Sequence, residues 1–504
     1  MIANLRTAGK ALAVLAALHS AAHAQIGPMA YPTLATAPNP RDFVTRQNAD
    51  LVAAEQVLRF GGANIFWLGL RSDTGRTADA RLPSDFEIIN AFDTAASMGI
   101  SAVRARTLAA SVGCKLCVLP APGGPENETT LRAIDHVLKL ARDNGIKFIL
   151  PLAGGISDCA QPQSAALDGD ICVFVRAHGS TNAADFFTNP AIRADFTAHI
   201  LALLNRVNVE TGTLWREDPA IMAFETCDAC APPANPGAVG SWTADIAALI
   251  HANDSHHLVQ SGAFAKLIGV PGNGPPIGTA DIAPAGVDIV AINPDPAHFS
   301  AAMDAATAAN RPVVLDNFQW QPKIFATPDD LQTFLKRMLK RRDLNGAMLS
   351  ELSSHADTGG YLADTADHDT GAAPALYFPG ITTKTTNAAD MELRARAIRR
   401  FNYSMSGFFI TPAFIRPGPP DIVSATGGRI VWRGSAGAST YSIARAPDAR
   451  INAPKWQTLC DKCANDLAGF WQDPNRGGGP AWYQVTPYDA NNHAGLPSAA
   501  IESK

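Results

Sequence analysis

The chain has 504 residues, with 41 Lys and Arg against 46 Asp and Glu, a net charge of −5, 47% apolar residues and 17% charged ones. That balance excludes a disordered chain, a collagen-like repeat and a coiled coil, and leaves room for two or three ordinary domains or one large barrel with an appendage. Mixed charge near neutrality offers no basic stripe to phosphates, so nucleic acid is excluded as a partner.

Residues 1–24 read as a signal peptide. Arg6 and Lys10 precede the apolar run Ala11 to Leu18, and Ala22-His23-Ala24 is a small-residue cleavage site. That run is too short to span a bilayer, and no later segment is long and apolar enough to do so. The expectation is a secreted or periplasmic protein with no membrane span. Eight cysteines follow: Cys114, Cys117, Cys159, Cys172, Cys227, Cys230, Cys460 and Cys463. Six of them form three C-x-x-C pairs. In an exported chain the even count favours disulfides, with local pairs plus Cys159 to Cys172 as the default, whereas in a reducing compartment the same spacing would suit zinc.

From residue 60 to about 410, short apolar runs alternate with longer helical patterns, as in parallel strands joined by crossover helices. Eight strands are expected: 64–70, 102–108, 147–152, 221–226, 257–261, 287–292, 312–318 and 347–352. Between them, 86–98, 128–144, 191–209, 241–252 and 328–341 carry apolar residues at helical spacing. Eight such units fit a TIM (β/α)8 barrel over 38–410, with its site at the C-terminal strand ends. The proline-rich stretch 411–420 reads as a linker. Beyond it, over 421–500, short alternating runs separated by Gly, Asn and Asp predict a small all-β sandwich of the fibronectin or immunoglobulin type. Its Trp432, Trp456 and Trp482 fit a sandwich core better than a sugar platform.

The order of several motifs matches a family. Val103-Arg104-Ala105-Arg106-Thr107-Leu108, Phe186-Phe187-Thr188-Asn189-Pro190, Asn205-Arg206-Val207-Asn208 and Asp218-Pro219-Ala220-Ile221 resemble the barrel of glycoside hydrolase family 5, in its branch of secreted endo-β-1,4-mannanases. Gly359-Gly360-Tyr361 and Tyr377-Phe378-Pro379-Gly380 continue the resemblance. It implies a retaining glycosidase with a glutamate acid/base ending the fourth strand and a glutamate nucleophile ending the seventh, about 5 to 5.5 Å apart. It also implies no cofactor and no metal, and a polysaccharide or oligosaccharide partner of β-mannan type.

Both glutamates are replaced. The family's W-E-T-G-N-E appears as Phe224-Glu225-Thr226-Cys227-Asp228-Ala229, which puts Ala229 at the acid/base position. The family's G-E-F-D-W appears as Asp316-Asn317-Phe318-Gln319-Trp320, which puts Asn317 at the nucleophile position. A methyl group transfers no proton, and a neutral amide supplies no anionic nucleophile. Asn293 and Asp295 stand where the family has a His and a Tyr, and Ser350 stands where it has a platform Trp. Only Arg104 persists among these groups, either orienting a nucleophile or serving as a buried ion-pair partner.

Three readings follow. In the first, the chain is catalytically inactive and binds carbohydrate or acts structurally, with Arg104, Asp228, Asn293, Asp295, Trp67 and Trp320 around the cleft. In the second, displaced carboxylates carry hydrolysis: Asp228 above all, then Asp316, Glu225, Asp295 and Glu351. Strand alternation, counted from Asn317, turns Asp316 to the opposite face. In the third, Cys227 and Cys230 join Cys114 and Cys117 in a thiol or metal module.

Overall fold

Eight short parallel strands close into a ring in the computed structural model, which describes residues 43–503 apart from 75–76, 162–164, 232–234, 271–276, 363–374, 468–469 and 478. The leader expected at 1–24 and the expected barrel start at 38 lie outside the described residues. The strands are β1 (Phe60–Asn64), β2 (Ala102–Arg104), β3 (Lys147–Pro151), β4 (Ile221–Glu225), β5 (Leu258–Ser261), β6 (Ile289–Ile292), β7 (Val313–Phe318) and β8 (Leu344–Leu349). Each pairs in parallel with its neighbour in sequence, and β8 closes on β1.

Around the ring lie the crossover helices α1 (Asp85–Ser97), α2 (Glu128–Asp143), α3 (Pro190–Leu204), α4 (Pro236–Asn253), α5 (Thr279–Ile282), α6 (Phe299–Thr307), α7 (Pro328–Lys340) and α8 (Ala388–Met405). Their starts are written locally. Ser84 and Glu87 form a reciprocal capping box at α1, and Thr327 and Asp330 do the same at α7, where Pro328 occupies the first turn. Asn127 and Asn189 cap α2 and α3 through their side-chain oxygens.

Two expected strands move. The first, expected at 64–70, is 60–64, and the last, expected at 347–352, is 344–349. Gly61, Gly62 and Gly346 disguise these strands, because glycine has little intrinsic strand preference. Here each glycine is set by a close approach. A Cβ on Gly61 would lie 2.6 Å from the Asn402 Cα of α8, and one on Gly346 would run into the Phe60 ring. The second strand, expected to reach Leu108, stops at Arg104 and turns through a short 3-10 segment at Arg106–Leu108.

Two apolar layers result. One lies between strands and helices; the other fills the lower barrel with Phe60, Ala102, Ile149, Met222, Ala223, Leu258, Ile289, Val314 and Met348. A three-stranded antiparallel sheet over residues 45–58 adds Leu51 and Leu58 to the inner layer and so plugs the barrel floor.

No regular secondary structure occurs over 411–420. The stretch is nonetheless pinned, with Phe414 under the guanidiniums of Arg396 and Arg399. Then β9 (Asp421–Thr426), β10 (Arg429–Arg433), β11 (Thr440–Ala446), β12 (Gln457–Ala464), β13 (Phe470–Gln472), β14 (Trp482–Tyr488) and β15 (Ile501–Glu502) form two antiparallel sheets, ordered 9-10-13 and 12-11-14-15. Ile430 and Trp432 of one sheet and Tyr441, Ile443, Tyr483 and Val485 of the other share one core. Trp432 is buried there and donates through Nε1 to Asp466 at 3.0 Å, while Trp456 and Trp482 are half-buried, so the three tryptophans form no common platform. Among the described residues, no helix is long and apolar enough to cross a membrane.

Gly61→Ala should lower stability by about 1–3 kcal/mol, the cost of overpacking against a backbone that cannot yield. Thermal denaturation against wild type checks it; an unchanged midpoint would contradict the close approach of β1 and α8.

Candidate active site at the barrel mouth

Period-two alternation decides which side chains enter the barrel. Ala102, Ala223, Leu258 and Val314 belong to the inner layer, so two residues onward Arg104, Glu225, Gln260 and Asp316 enter the barrel one level higher. This corrects the expectation that Asp316 faces away. Counting from Val314 gives its direction, whereas Asn317 lies within a register shift in the β7–β8 ladder, between Leu315 and Phe318, and is a poor reference.

Arg104, fully buried, organises this level. Its Nε and Nη2 donate to the two oxygens of Glu225 at 2.6 and 2.8 Å, and its Nη1 donates to Asn64 Oδ1 at 3.1 Å. Asn64 is fixed in turn by donating to the carbonyls of Asp316 and Leu349, both at 2.8 Å. Nη2 of Arg104 also lies 2.9 Å from Asp228 Oδ1 and 3.9 Å from Asp316 Oδ2. The other oxygen of Asp228 is 2.5 Å from Nε of Arg106, whose guanidinium covers the Phe66 ring. Gln260 donates to Glu225 at 3.2 Å.

Burial drives these carboxyl groups apart. It pushes Asp316 well above the ordinary carboxylate range, and neighbouring Glu225 and Asp228 add to the shift against the pull of Arg104. Both Asp316 oxygens lack a hydrogen bond among the described residues, which fits a neutral carboxyl. Burial also raises Glu225, against Arg104. For Asp228 the burial cost is overcome by Arg104 and then Arg106, which hold it well below the usual carboxylate range. Burial opposes the charge of Arg104 too, but Asp228, Glu225 and Asp316 together raise it.

One oxygen from each of Glu225, Asp228 and Asp316 lies within 4.8 Å of the other two, a spacing that could hold a cation. The guanidinium of Arg104 already stands among them and supplies positive charge, so these residues do not fit a metal.

At the end of β4, Cys227 and Cys230 form a disulfide around Asp228 and Ala229. Ala229 has a left-handed backbone, φ 47°, and its N–H donates to Gly262 at 3.1 Å. Close packing fixes this turn as well, since a Cβ on Gly262 would run into Glu225 Oε1. The remaining cysteines pair as expected, Cys114 with Cys117, Cys159 with Cys172 and Cys460 with Cys463, so the four-thiolate metal site is overturned: no thiolate is left to bind a metal.

Other expected site residues lie elsewhere. Trp320 is fully buried and Trp67 nearly so, both in the layer between strands and helices, which removes them as sugar platforms. Asn293 is half-buried with its N–H on Ala265, and Asp295 is exposed. Neither has a described bond to the charged cluster. Asn317 is partly buried, with its side-chain oxygen unbonded among the described residues, as is the Ser350 hydroxyl. Arg106, Asn64 and Gln260 were not singled out from sequence. Alternation from Ala102 and Leu258 was the available signal for Arg106 and Gln260.

Residues 41–269 match a family model described as glycoside hydrolase family 5 beta-mannosidase-like. Among curated proteins, mannan endo-1,4-beta-mannosidase 4 of Oryza sativa subsp. japonica is 31% identical over 42% of this chain and 43% of its own length, and mannan endo-1,4-beta-mannosidase 1 of that plant is 30% identical over 49% and 54%. The chain thus spans about half the length of the curated relatives it matches. Among solved structures, the endo-beta-1,4-mannanase from Thermotoga petrophila superposes with a TM-score of 0.53 at 16% identity, covering 89% of this chain and 98% of its own. The endo-1,4-beta-mannanase from Rhizomucor miehei gives 0.54 at 17%, covering 73% and 100%. These two likenesses concern the fold.

Replacing Arg104 by Met should cost about 3–5 kcal/mol, because Glu225 and Asp228 lose their buried countercharge, and adding Glu225→Met should recover part of the loss. Denaturant unfolding of the single and double variants checks this. Asp316→Asn carries a pH signature. A carboxyl raised in the folded state costs stability as pH rises above its unfolded value of 3.8, so the variant should gain on wild type at pH 7 and lose that advantage below about pH 4. A pH-independent difference would contradict a neutral Asp316.

Proposed function

Given that this chain is a glycoside hydrolase family 5 mannanase-like protein, we propose that it has given up retaining hydrolysis and serves as an exported carbohydrate-binding or structural protein. The observation carrying this reading is the grip of Arg104 and Arg106 on Asp228, 2.9 and 2.5 Å away on its two oxygens. Retaining cleavage needs an exposed carboxylate to attack the anomeric carbon and a carboxylic acid to protonate the leaving oxygen. Asp228 is almost wholly buried and its oxygens are committed to guanidiniums, so its nucleophilicity is quenched. Burial pushes Asp316 well above the ordinary carboxylate range, but it lies fully buried beside Arg104. At the two positions facing a substrate in the family stand a methyl group and an amide. Four disulfides support a protein exported to an oxidising compartment.

For the ligand we propose a neutral oligosaccharide of β-mannan type, held in a cavity of about 440 Å³ between the loops after β1 and β8. Asp73, Arg81, Glu87, Asp357, Thr358 and Tyr361 contribute to its wall, and the size suits a small sugar chain. Arg81 pairs with Glu87 at 2.6 Å and with Asp73 at 3.0 Å, and Asp357 pairs with Arg433 at 2.7 Å. Each of these carboxylates has an arginine partner, Arg81 in the wall and Arg433 behind it, which favours an uncharged, hydroxyl-rich occupant.

A second reading is favoured by one observation. Asp316 is pushed up and Asp228 down, with oxygens within 4.8 Å, and such a split is how a carboxyl pair divides acid and base roles. It would make the chain a slow β-mannan hydrolase.

Reducing-sugar release from mannan and glucomannan by the purified protein should equal that of buffer. Release by wild type that Asp228→Asn and Asp316→Asn each abolish would replace the first reading with the second. Calorimetric titration with mannohexaose should show binding that Thr358→Trp weakens at least about tenfold by filling the cavity, a loss of roughly 1.4 kcal/mol. Unchanged affinity in that variant would place the ligand elsewhere.

A further inference from the structure

One wall of the cavity is a hairpin. After β8 the chain doubles back over 354–362: the Ala356 N–H donates to the Gly360 carbonyl at 2.9 Å and the Leu362 N–H to that of Ser354 at 3.0 Å. Gly359 and Gly360 supply the positive φ values, 92° and 75°, that close the turn. Ala356, Asp357, Thr358 and Gly359 at its tip line the cavity, as does Tyr361 on the returning side. A two-stranded hairpin is marginal in water by itself, so the place of this wall is set by what grips it.

Barrel and sandwich both do. From the barrel, Asn90 of α1 accepts the His355 backbone N–H at 3.0 Å, and the Ser354 hydroxyl donates to the Glu87 carbonyl at 3.3 Å. From the sandwich, Arg433 at the end of β10 donates through Nε to the Asp357 carbonyl at 2.9 Å and pairs through Nη2 with the Asp357 carboxylate at 2.7 Å. The same guanidinium pairs with Asp421 of β9 at 3.0 Å and covers the Phe86 ring of α1 at 5.3 Å. Next to it, the Gly434 carbonyl accepts from Asn90 Nδ2 at 3.3 Å, and a Cβ on Gly434 would run into the His355 ring. Among the described ion pairs Asp357 has no other partner than Arg433.

A half-exposed ion pair is worth little alone. What Arg433 contributes is position, because one planar fork holds both the backbone and the side chain of a residue at the hairpin tip while anchored on β9 and α1.

We infer that the cavity is a two-domain binding site, in which Arg433 of the sandwich is the positioning residue for the hairpin wall. The ligand's identity rests on the functional reading above, whereas the grip on the hairpin does not. A wall ordered before binding spares the ligand the cost of ordering it, and a wall ordered only part of the time lowers apparent affinity by that fraction. Coupling is reciprocal, so an occupied cavity tightens the sandwich on the barrel. No described sandwich residue lines the cavity, so the appended domain acts on the ligand through the hairpin.

Hydrogen–deuterium exchange of the full chain, with and without mannohexaose, tests this. Arg433→Met removes the contacts with Asp357, Asp421 and Phe86 at once, so the amides of 356–362 should exchange at least about tenfold faster, while α7 and β11 keep their protection. Arg433→Lys, which retains the charge without the fork, should show a smaller rise, and it decides the matter if Arg433→Met does not fold. In the wild type, saturating mannohexaose should slow exchange at 433–438, and calorimetry should show Arg433→Met binding it at least about tenfold more weakly. Hairpin exchange unchanged in both variants would overturn the inference, as would equal affinity in wild type and Arg433→Met or exchange at 433–438 unmoved by bound mannohexaose. A wild type that binds no mannohexaose would instead overturn the choice of ligand, with the exchange of 356–362 still deciding the role of Arg433.

Discussion

One fully buried guanidinium shapes the upper barrel. Arg104 touches Asn64 on β1, Glu225 at the end of β4, Asp228 beyond it and, more distantly, Asp316 on β7. A cation taken from water into such a space is strongly penalised unless anions and hydrogen bonds surround it, and here they do. The same arrangement dictates the carboxyl groups' behaviour. Asp228, shared by two guanidiniums, is held well below the usual carboxylate range, while Asp316, at 3.9 Å from Arg104 and without a described donor, is pushed well above it by burial. Electrostatics at the barrel mouth are therefore set by arginine placement.

The turn beyond β4 reinforces that outcome. Ala229 sits in a left-handed conformation inside the Cys227–Cys230 ring, with Gly262 pressed against Glu225. A residue there leaves the strand at an angle unlike that of an extended residue. Beside this turn, Arg106 lies against the second oxygen of Asp228. The likeness to mannanases lies in the barrel and its matched segment, while the centre of the mouth has its own internal ion-pair network.

Much of this fold was legible in the sequence because its signals are local. Eight alternating units, the Ser84–Glu87 and Thr327–Asp330 caps and the change of pattern after Pro420 all rest on residues close in the chain. Harder to read were features decided by distant neighbours. Gly61 and Gly346 look like breakers until α8 and Phe60 are seen against them. The direction of Asp316 follows from Val314, and the register shift past Leu315 cannot be read from one strand alone. Trp67 and Trp320 are aromatic residues near strand ends, yet both are buried in the large apolar cluster. Three of the Cys pairs were readable because a three-residue separation can close on itself wherever the turn allows.

The central claim is that no carboxylate at the barrel mouth is free to attack an anomeric carbon. Incubation of the purified chain with an activated 2-deoxy-2-fluoro-mannoside, followed by intact-mass and peptide mass spectrometry, tests it most directly, because a retaining nucleophile would be captured as a stable ester. The account predicts an unmodified mass under conditions that label an active mannanase. A fluoromannosyl adduct on Asp228, Asp316 or Glu225 would contradict it.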